Sequence, residues 1–387
     1  MKALWRSARL GGGAALVIGL AGMAVTGAPA AGAQVVPAQH AVMFWGGNQV
    51  TPAQVGGTTG VAQVAAGGLH SLMLRSDRTV WAWGNNFFGQ LGNGTTTSSS
   101  APVQVSGLTG VVQVAAAGFH SLALRSDGTV WAWGSDGVSS SLTPVQVPGL
   151  TGVTMISAGD MFSLALRSDG TVWAWGVNQS GQLGNGTTTN SAVPVQVTGL
   201  SQATSIAAGF DSSLATRTRG ITTIRSVWSW GGNGSGQLGD GTLTNHLTPE
   251  QVTGISTPSI AGIAAGYHFA VVLGADDAVW GWGADDTGQL DNAPTGSPVT
   301  RPVRMTGTAT GITQLSAGFN HVLALKSNGT VLAWGDNSAG ELGDGSTAGV
   351  TGAIQVPGLA GVSQVSAGGE FSLAIHPASP FILPPLP

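Results

Sequence analysis

Residues 116–134 read AAGFHSLALRSDGTVWAWG, and this stretch decides the fold. HSLAL alternates large apolar residues with small or polar ones, the period of a half-buried strand. SDGT is turn chemistry, with Asp127-Gly128 offering the positive backbone angles of a tight hairpin. TVWAWG is the return strand, and Trp131 and Trp133, two apart, share one of its faces. The stretch predicts a β-hairpin.

Its markers recur seven times. Trp-Gly closes a strand at Trp45, Trp83, Trp133, Trp175, Trp230, Trp282 and Trp334. A Pro-rich segment of the PVQV type begins at Pro52, Pro102, Pro144, Pro194, Pro249 and Pro302, and IQVP stands in its place at Ile354. A small-residue turn precedes each HSLAL-type strand at Ala66, Ala116, Ala158, Ala208, Ala265, Ala317 and Ala367. A repeat near 50 residues, with strands PVQV, GVVQVAA, HSLAL and TVWAWG in each unit, predicts an all-β, seven-bladed β-propeller with four-stranded blades. The chain enters just before a TVWAWG-type strand, residues 41–46, and its repeats end after an HSLAL-type strand, residues 371–375. Each end holds the strands the other lacks, so the N- and C-terminal strands are expected to close the ring and remove two open edges.

The 63 Gly of 387 residues fit turns in such an array, because 13 Trp fall at regular places. With no Cys, disulfides and thiolate metal sites are excluded. Lys2, Arg6 and Arg9, an apolar run over residues 10–25, and Ala31-Gly32-Ala33 before Gln34 have the form of a secretory signal. The expected organisation is a signal peptide over residues 1–33, the propeller over 34–376, and a Pro-rich tail over 377–387. Removing Lys2, Arg6 and Arg9 from 13 basic residues leaves ten against 17 acidic, a formal charge of −7. Such a surface repels phosphate backbones, so nucleic acid is not an expected partner. The mature chain is expected to be a secreted monomer free of the membrane.

The combined pattern AG-x-x-HSLAL-x-SDGTV-x-WG-x-N-x-x-GQLG resembles the regulator of chromosome condensation repeat family across residues 41–376. The resemblance implies a seven-bladed propeller closed by strands from both chain ends. It leaves function open: the family holds a chromatin-bound exchange factor for a small nuclear GTPase, a plant ultraviolet photoreceptor, and secreted bacterial propellers that inhibit β-lactamases. The photoreceptor carries a cluster of Trp at the two variable positions that follow the small-residue turn, and no Trp stands there in this chain. An exported, acidic chain is similar in setting to the inhibitors.

Those two variable positions are Gly68-Leu69, Gly118-Phe119, Asp160-Met161, Phe210-Asp211, Tyr267-His268, Phe319-Asn320 and Gly369-Glu370. Framework positions repeat one residue; these mix aromatic, acidic and small side chains. Aromatic anchors with polar neighbours suit protein recognition. The expected partner-binding face is therefore Leu69, Phe119, Asp160, Met161, Phe210, Asp211, Tyr267, His268, Phe319, Asn320 and Glu370, and the resemblance implies that they surround one mouth of a central channel.

Other candidates favour framework roles. His70, His120 and His321 recur at whole-blade spacing, but Phe162, Ser212, Phe269 and Phe371 replace them elsewhere, which suits packed, hydrogen-bonded residues rather than metal ligands. The Trp-Gly tryptophans invite a sugar-stacking role, yet occupy one fixed position in every unit, as packing residues do. GQLGNG at Gly89 and Gly181, GQLGDG at Gly236 and GELGDG at Gly340 lack the context and Lys of a phosphate cradle. Asp276-Asp277 and Asp285-Asp286 lack the ligand series of a calcium loop. Arg217, Arg219 and Arg225 charge a longer fourth hairpin. There is no nucleophile elbow and no HExxH helix, so no catalytic residue, metal or cofactor is expected. The expectation is a secreted protein-binding scaffold, in its sharpest form an enzyme inhibitor. A cell-wall or glycan-binding surface protein is the alternative, and an exchange-factor-like role follows from the family resemblance alone.

Overall fold

The inner strand of each repeat has an open hydrogen-bonding edge, and the architecture follows from how that edge is filled. A computed structural model describes residues 40–218, 224–290, 297–307 and 310–377. The expected signal, Arg219 and residues 378–387 of the expected tail lie outside the described residues. The strands form seven four-stranded antiparallel sheets arranged in a ring, a seven-bladed propeller with no helix among the described residues. Blades 1 to 6 occupy residues 61–104, 111–146, 153–196, 203–251, 260–304 and 312–355, and blade 7 combines residues 364–377 with 40–54.

Blade 1 shows the order from the axis outward: Val61–Ala66, His70–Arg75, Val80–Gly84, Ser99–Gln104. The PVQV segment is thus the fourth strand of a blade and not the first strand of a unit. Val103 pairs with Ala82 of the preceding TVWAWG strand. Its place at the blade's outer edge is where proline is tolerated, since the missing N–H faces solvent. In the SDGT turn only Gly128 takes a positive φ, 78°. Asp127 acts through its side chain, accepting bonds from the Thr129 amide at 3.0 Å and hydroxyl at 2.6 Å.

The ring closes as the ends of the chain require. His40–Gly46 pairs with Phe371–Pro377 from His40↔Pro377 to Gly46↔Phe371, and Gln49–Gln54 adds the outer strand. The strand continues to Pro377, one residue past the expected start of the tail.

Three sets of bonds tie one blade to the next, beside inner-strand serines that accept from the following blade's alanine amide (Ser157 from Ala208, Ser316 from Ala367, Ser366 from Ala66). In the first, a glutamine on the inner strand reaches across and both donates to and accepts from one residue of the following inner strand. Gln63 bridges to Val114 (3.0 and 2.9 Å), Gln113 to Ile156, Gln314 to Val365 and Gln364 to Val64. Blades 3, 4 and 5 carry Met155, Ser205 and Gly262 at this position and lack the bridge. In the second, the GQLG loop offers a carbonyl to the next blade's buried tryptophan: Trp133 to Gln90 (2.9 Å), Trp230 to Gln182, Trp282 to Gln237, Trp334 to Gln289 and Trp45 to Glu341. Trp83 and Trp175 follow the two excursions without the motif, and neither makes this bond. Gly92, at φ 65°, leaves no room for a Cβ beside the Trp133 ring, which explains the second glycine of GQLG.

In the third, His70, His120 and His321 bond Ser121, Ser163 and Ser372 of the following blade at 2.8, 3.0 and 2.9 Å. These histidines are framework residues, as their exchange with Phe suggested. Apolar side chains fill the space between blades. Leu72, Leu74, Val80 and Leu91 of blade 1 pack with Val114, Ala123 and Trp133 of blade 2. Every Trp-Gly tryptophan is at most 5% exposed, so none can stack on a sugar without the blades parting.

Two outcomes follow from these ties. Gly262 has an ordinary backbone, and a Cβ there meets only Leu273 at 3.7 Å. Gly262→Gln should therefore restore the bridge to Leu315 and raise stability by ~1 kcal/mol, measured by denaturant unfolding. A stability equal to or below wild type would show that the bridge does not form there.

Burial pushes the pKa of His70 down to about 3 and those of His120 and His321 to about 4. Above pH ~6.5 both folded and unfolded chains hold them neutral. Below it the unfolded chain takes up protons that the folded chain does not, so each removes ~1.4 kcal/mol of stability per pH unit until its folded pKa is reached. Asp160, raised by burial to about 6, works in the opposite sense. His70→Phe with His321→Phe borrows the residue of other blades and leaves the hydroxyls of Ser121 and Ser372 donating to Gln90 and Glu341. The slope of stability against pH between 6 and 4.5 should flatten in this variant (both limits within the window of about 4 to 6.5). An unchanged slope would mean that these histidines are not held neutral.

Candidate partner-binding face at the channel mouth

Each loop from an inner strand to the second strand sits at one mouth of the central channel, and the two variable residues at its tip divide the work. The first of each pair lines a cavity of about 350 Å³ that runs down the axis: Gly68, Gly118, Asp160, Phe210, Tyr267 and Phe319, with Gly369 completing the circle. The second of each pair is not part of that lining, and Phe119, Met161 and Asp211 meet residues of the excursions that follow Trp-Gly. The structure thus brings Asp160, Phe210, Tyr267 and Phe319 together at the mouth and sets Leu69, Phe119, Met161, Asp211, His268, Asn320 and Glu370 in a wider circle on the same face.

The mouth is lopsided. Backbone bonds join neighbouring loops on both sides of the ring, Tyr267 donating to the Phe319 carbonyl at 3.2 Å and Phe319 to the Gly368 carbonyl at 3.1 Å, but the loops of blades 7, 1 and 2 carry glycine at the mouth. Gly369 donates to the Gly67 carbonyl at 3.1 Å, and a Cβ on Gly118 would overlap the Asp160 carbonyl. On the arc of blades 4 to 6 side chains fill the gap. Phe210 and Tyr267 have ring centroids 4.0 Å apart, Tyr267 meets Phe319 edge-on at 5.2 Å, and His268 packs on Tyr267 at 4.3 Å. Such aromatic contacts hold the rings in place ahead of any ligand.

Asp211 is held by the Ser180 hydroxyl at 3.2 Å and the Gln237 amide at 3.1 Å, both from excursion loops. Those loops are rigid because a buried asparagine organises each one. Asn178 accepts from the Leu183 amide at 2.9 Å and donates to the Thr187 and Thr189 carbonyls at 2.9 and 3.1 Å. Asn86, Asn233 and Asn337 repeat the arrangement, and Asp285 takes the corresponding place, accepting from Leu290. Burial raises the Asp160 carboxyl to about 6. The Tyr267 phenol is raised first by burial and then by the charges of Asp160 and Asp211. His268 is lowered by burial, against the pull of Asp211 and Asp286.

Residues outside the expected set share this face. Phe87 and Phe88, 71% and 48% exposed, stand in the excursion of blade 1, and Phe88 packs on Phe119 with centroids 4.9 Å apart. Leu69 and Met161 are also exposed, at 52% and 36%, and Met161 lies beside Gly137 of the preceding blade's excursion. Phe87-Phe88 was detectable by the same variability: the other GQL- or GEL-bearing excursions carry Gln179-Ser180, Gly234-Ser235, Asp286-Thr287 and Ser338-Ala339 there.

Arg217 and Arg225 stand at the opposite end of the blades. Arg217 lies 5.2 Å from the Trp228 ring centroid, a pairing that Arg75, Arg125 and Arg167 repeat with Trp81, Trp131 and Trp173. Arg217 is thus part of the framework. Among the described residues no group of three or more His, Cys, Asp or Glu is placed to hold a metal ion.

The chain resembles known proteins over this same framework. Over 163 residues it is 29% identical to the E3 ubiquitin-protein ligase HERC2 of Homo sapiens, 41% of this chain and 3% of HERC2. Over 123 residues it is 33% identical to the ultraviolet-B receptor UVR8 of Arabidopsis thaliana, 31% of this chain and 27% of the receptor. The match therefore spans less than a third of either relative. Prp20p of Saccharomyces cerevisiae superposes with a TM-score of 0.76 at 24% identity, covering 89% of this chain and 93% of that one. Human WBSCR16 superposes with a TM-score of 0.78 at 21% identity, covering 89% and 100%. These likenesses show a shared fold. The Regulator of chromosome condensation (RCC1) repeat matches residues 77–124, 169–216, 226–273, 276–325 and 328–375, and a second form of it matches 61–90, 111–139, 153–182 and 312–341. With more than half of its length in such repeats, the chain belongs to the regulator of chromosome condensation repeat family.

Proposed function

We propose that this chain is an exported protein-binding propeller, that its docking surface is the channel-mouth face, and that its specific role is inhibition of an extracellular enzyme. The observation that carries the docking surface is the clustering of Leu69, Phe87, Phe88 and Met161, all exposed, on the face where the repeat varies. Exposed apolar residues grouped on one face of a soluble fold mark an interaction surface. The neighbouring Phe210, Tyr267 and Phe319 supply preorganised aromatic anchors. Prp20p is described by its binding to Gsp1p and histones and in complex with Kap60, so a propeller of this shape serves elsewhere as a platform for proteins. Export is supported by the basic, apolar and small-residue segments of residues 1–33. Inhibition is the role that an exported, acidic member of the family suggests. Catalysis is not proposed, because no set of reactive groups converges at the mouth beyond the carboxylates already described.

The test uses the chain from Gln34 onward as bait in culture supernatant. One protein should be retained by wild type. Phe87→Ser with Phe88→Ser, and separately Tyr267→Ala, should each weaken its binding by ~2 kcal/mol, roughly thirty-fold, with circular dichroism unchanged. Arg217→Glu with Arg225→Glu should leave the affinity near wild type. The reverse pattern would move the docking surface to the other end of the blades. Retention on peptidoglycan with no protein captured would favour the glycan role, and capture of a small GTPase would favour exchange. The intact mass of secreted material should begin at Gln34; a mass including residues 1–33 would rule out a cleaved signal.

A further inference from the structure

The two ends of the blades differ in charge: the hairpin end mixes both signs, with Asp77, Asp127, Asp169, Asp276 and Asp277 among its bases, and the mouth end is acidic. At the hairpin end stand Arg75, Arg78, Arg125, Arg167, Arg217, Arg225 and Lys326. Some of these are neutralised locally: Arg125 lies 4.0 Å from Asp127 and Arg167 lies 3.6 Å from Asp169. At the mouth end the loops carry Asp136, Asp160, Asp211, Asp286, Asp336 and Glu370, and among the described residues those loops carry no Lys or Arg. The nearest basic residue toward that end, Arg301, lies on the outermost strand of blade 5, at the rim.

The carboxylates of the mouth are unbalanced. Among the described residues neither Asp160 nor Asp211 forms an ion pair, and Asp211 is held by neutral donors alone. Asp160 lines the channel beside Phe210 and Tyr267, stripped of much of its water. A cation is stabilised both by a carboxylate and by the face of an aromatic ring, and both kinds of group line this cavity. The exposed apolar residues of blades 1 to 3 adjoin it, so a partner seated on them presents its own surface to the mouth.

Building on the docking face proposed above, we propose that the partner surface is basic and places a Lys or Arg side chain in the channel mouth, between Asp160 and the rings of Phe210 and Tyr267. Acidic proteins and nucleic acids are turned away by the same charges. The long aliphatic stem of the inserted side chain lies against the rings while its head reaches the carboxylate.

The probe is a short fluorescein-labelled peptide of alternating Gly and Arg, compared by anisotropy with its Glu counterpart. The Arg peptide should bind the chain from Gln34 onward and weaken between ~20 mM and ~150 mM salt, and the Glu peptide should not bind. Asp160→Asn should weaken the Arg peptide at least five-fold (about 1 kcal/mol), and Asp169→Asn at the hairpin end should not. Melting temperatures check the fold; Asp160→Asn removes a desolvated charge and should melt no lower than wild type. Equal binding of both peptides, or an Asp160→Asn variant that binds like wild type, would overturn the proposal. With the natural partner in hand, loss of binding on Phe87→Ser with Phe88→Ser, together with full binding by Asp160→Asn and Asp211→Asn, would keep the docking face and remove the cation. Loss in neither set would remove the docking face itself.

Discussion

A blade's innermost strand pairs on one side only, and its other edge looks across a narrow gap at the next blade. No backbone ladder crosses that gap anywhere in the ring. Beside single main-chain bonds between loops, such as Gly369 to Gly67, side chains cross it: glutamine amides on the inner strands, tryptophan indoles reaching the loop carbonyls, and histidines meeting serines. Each supplies a polar partner to a group that burial would otherwise leave orphaned, at a cost of ~1–3 kcal/mol apiece. The apolar packing between blades gives the larger share of the stabilisation but has no direction. The polar ties set how far one blade turns relative to the next, and seven such turns close the circle.

This division of labour explains where the ring can vary. The glutamine bridges between inner strands are complete at blades 6, 7, 1 and 2 and absent after blades 3, 4 and 5, though Ser157 accepts from the Ala208 amide between blades 3 and 4. The arc without bridges largely coincides with the arc where side chains rather than backbone fill the mouth. Close backbone approach at Gly68, Gly118 and Gly369 admits no side chain. On the other arc the loops are also joined through the backbone, Tyr267 to Phe319 and Phe319 to Gly368, and the rings of Phe210, Tyr267 and Phe319 line the mouth beside those bonds.

Much of the fold was legible because its determinants recur. Trp133 and its six counterparts occupy one framework position, and the phase of the two chain ends implies a closing blade. The fourth strand was assigned to the wrong side of its unit because periodicity fixes a repeat without fixing where a sheet begins; the pairing of Val103 with Ala82 decides that. The role of the loop glutamines is not legible, because a main-chain carbonyl that accepts an indole leaves no mark in side-chain chemistry. The variable pairs are visible as variable, but not that the first of each lines the channel and the second does not. Phe87-Phe88 went unnoticed because its loop was read for its GQLG signature alone. The arginines of the fourth hairpin drew attention as a cluster, though Arg217 repeats a stacking role present in three other blades.

The seam in blade 7 has a temporal meaning. His40 pairs with Pro377, so the strand made early in synthesis acquires its neighbour only when the last repeat has emerged. Until then the growing array has an unpaired edge at each end, and the non-local pairing that completes it is the slow kind. Premature contact with a strand from another chain is the hazard of that interval. The proline within Gln49–Gln54 guards one side of the waiting pair, where a missing amide interrupts any foreign ladder.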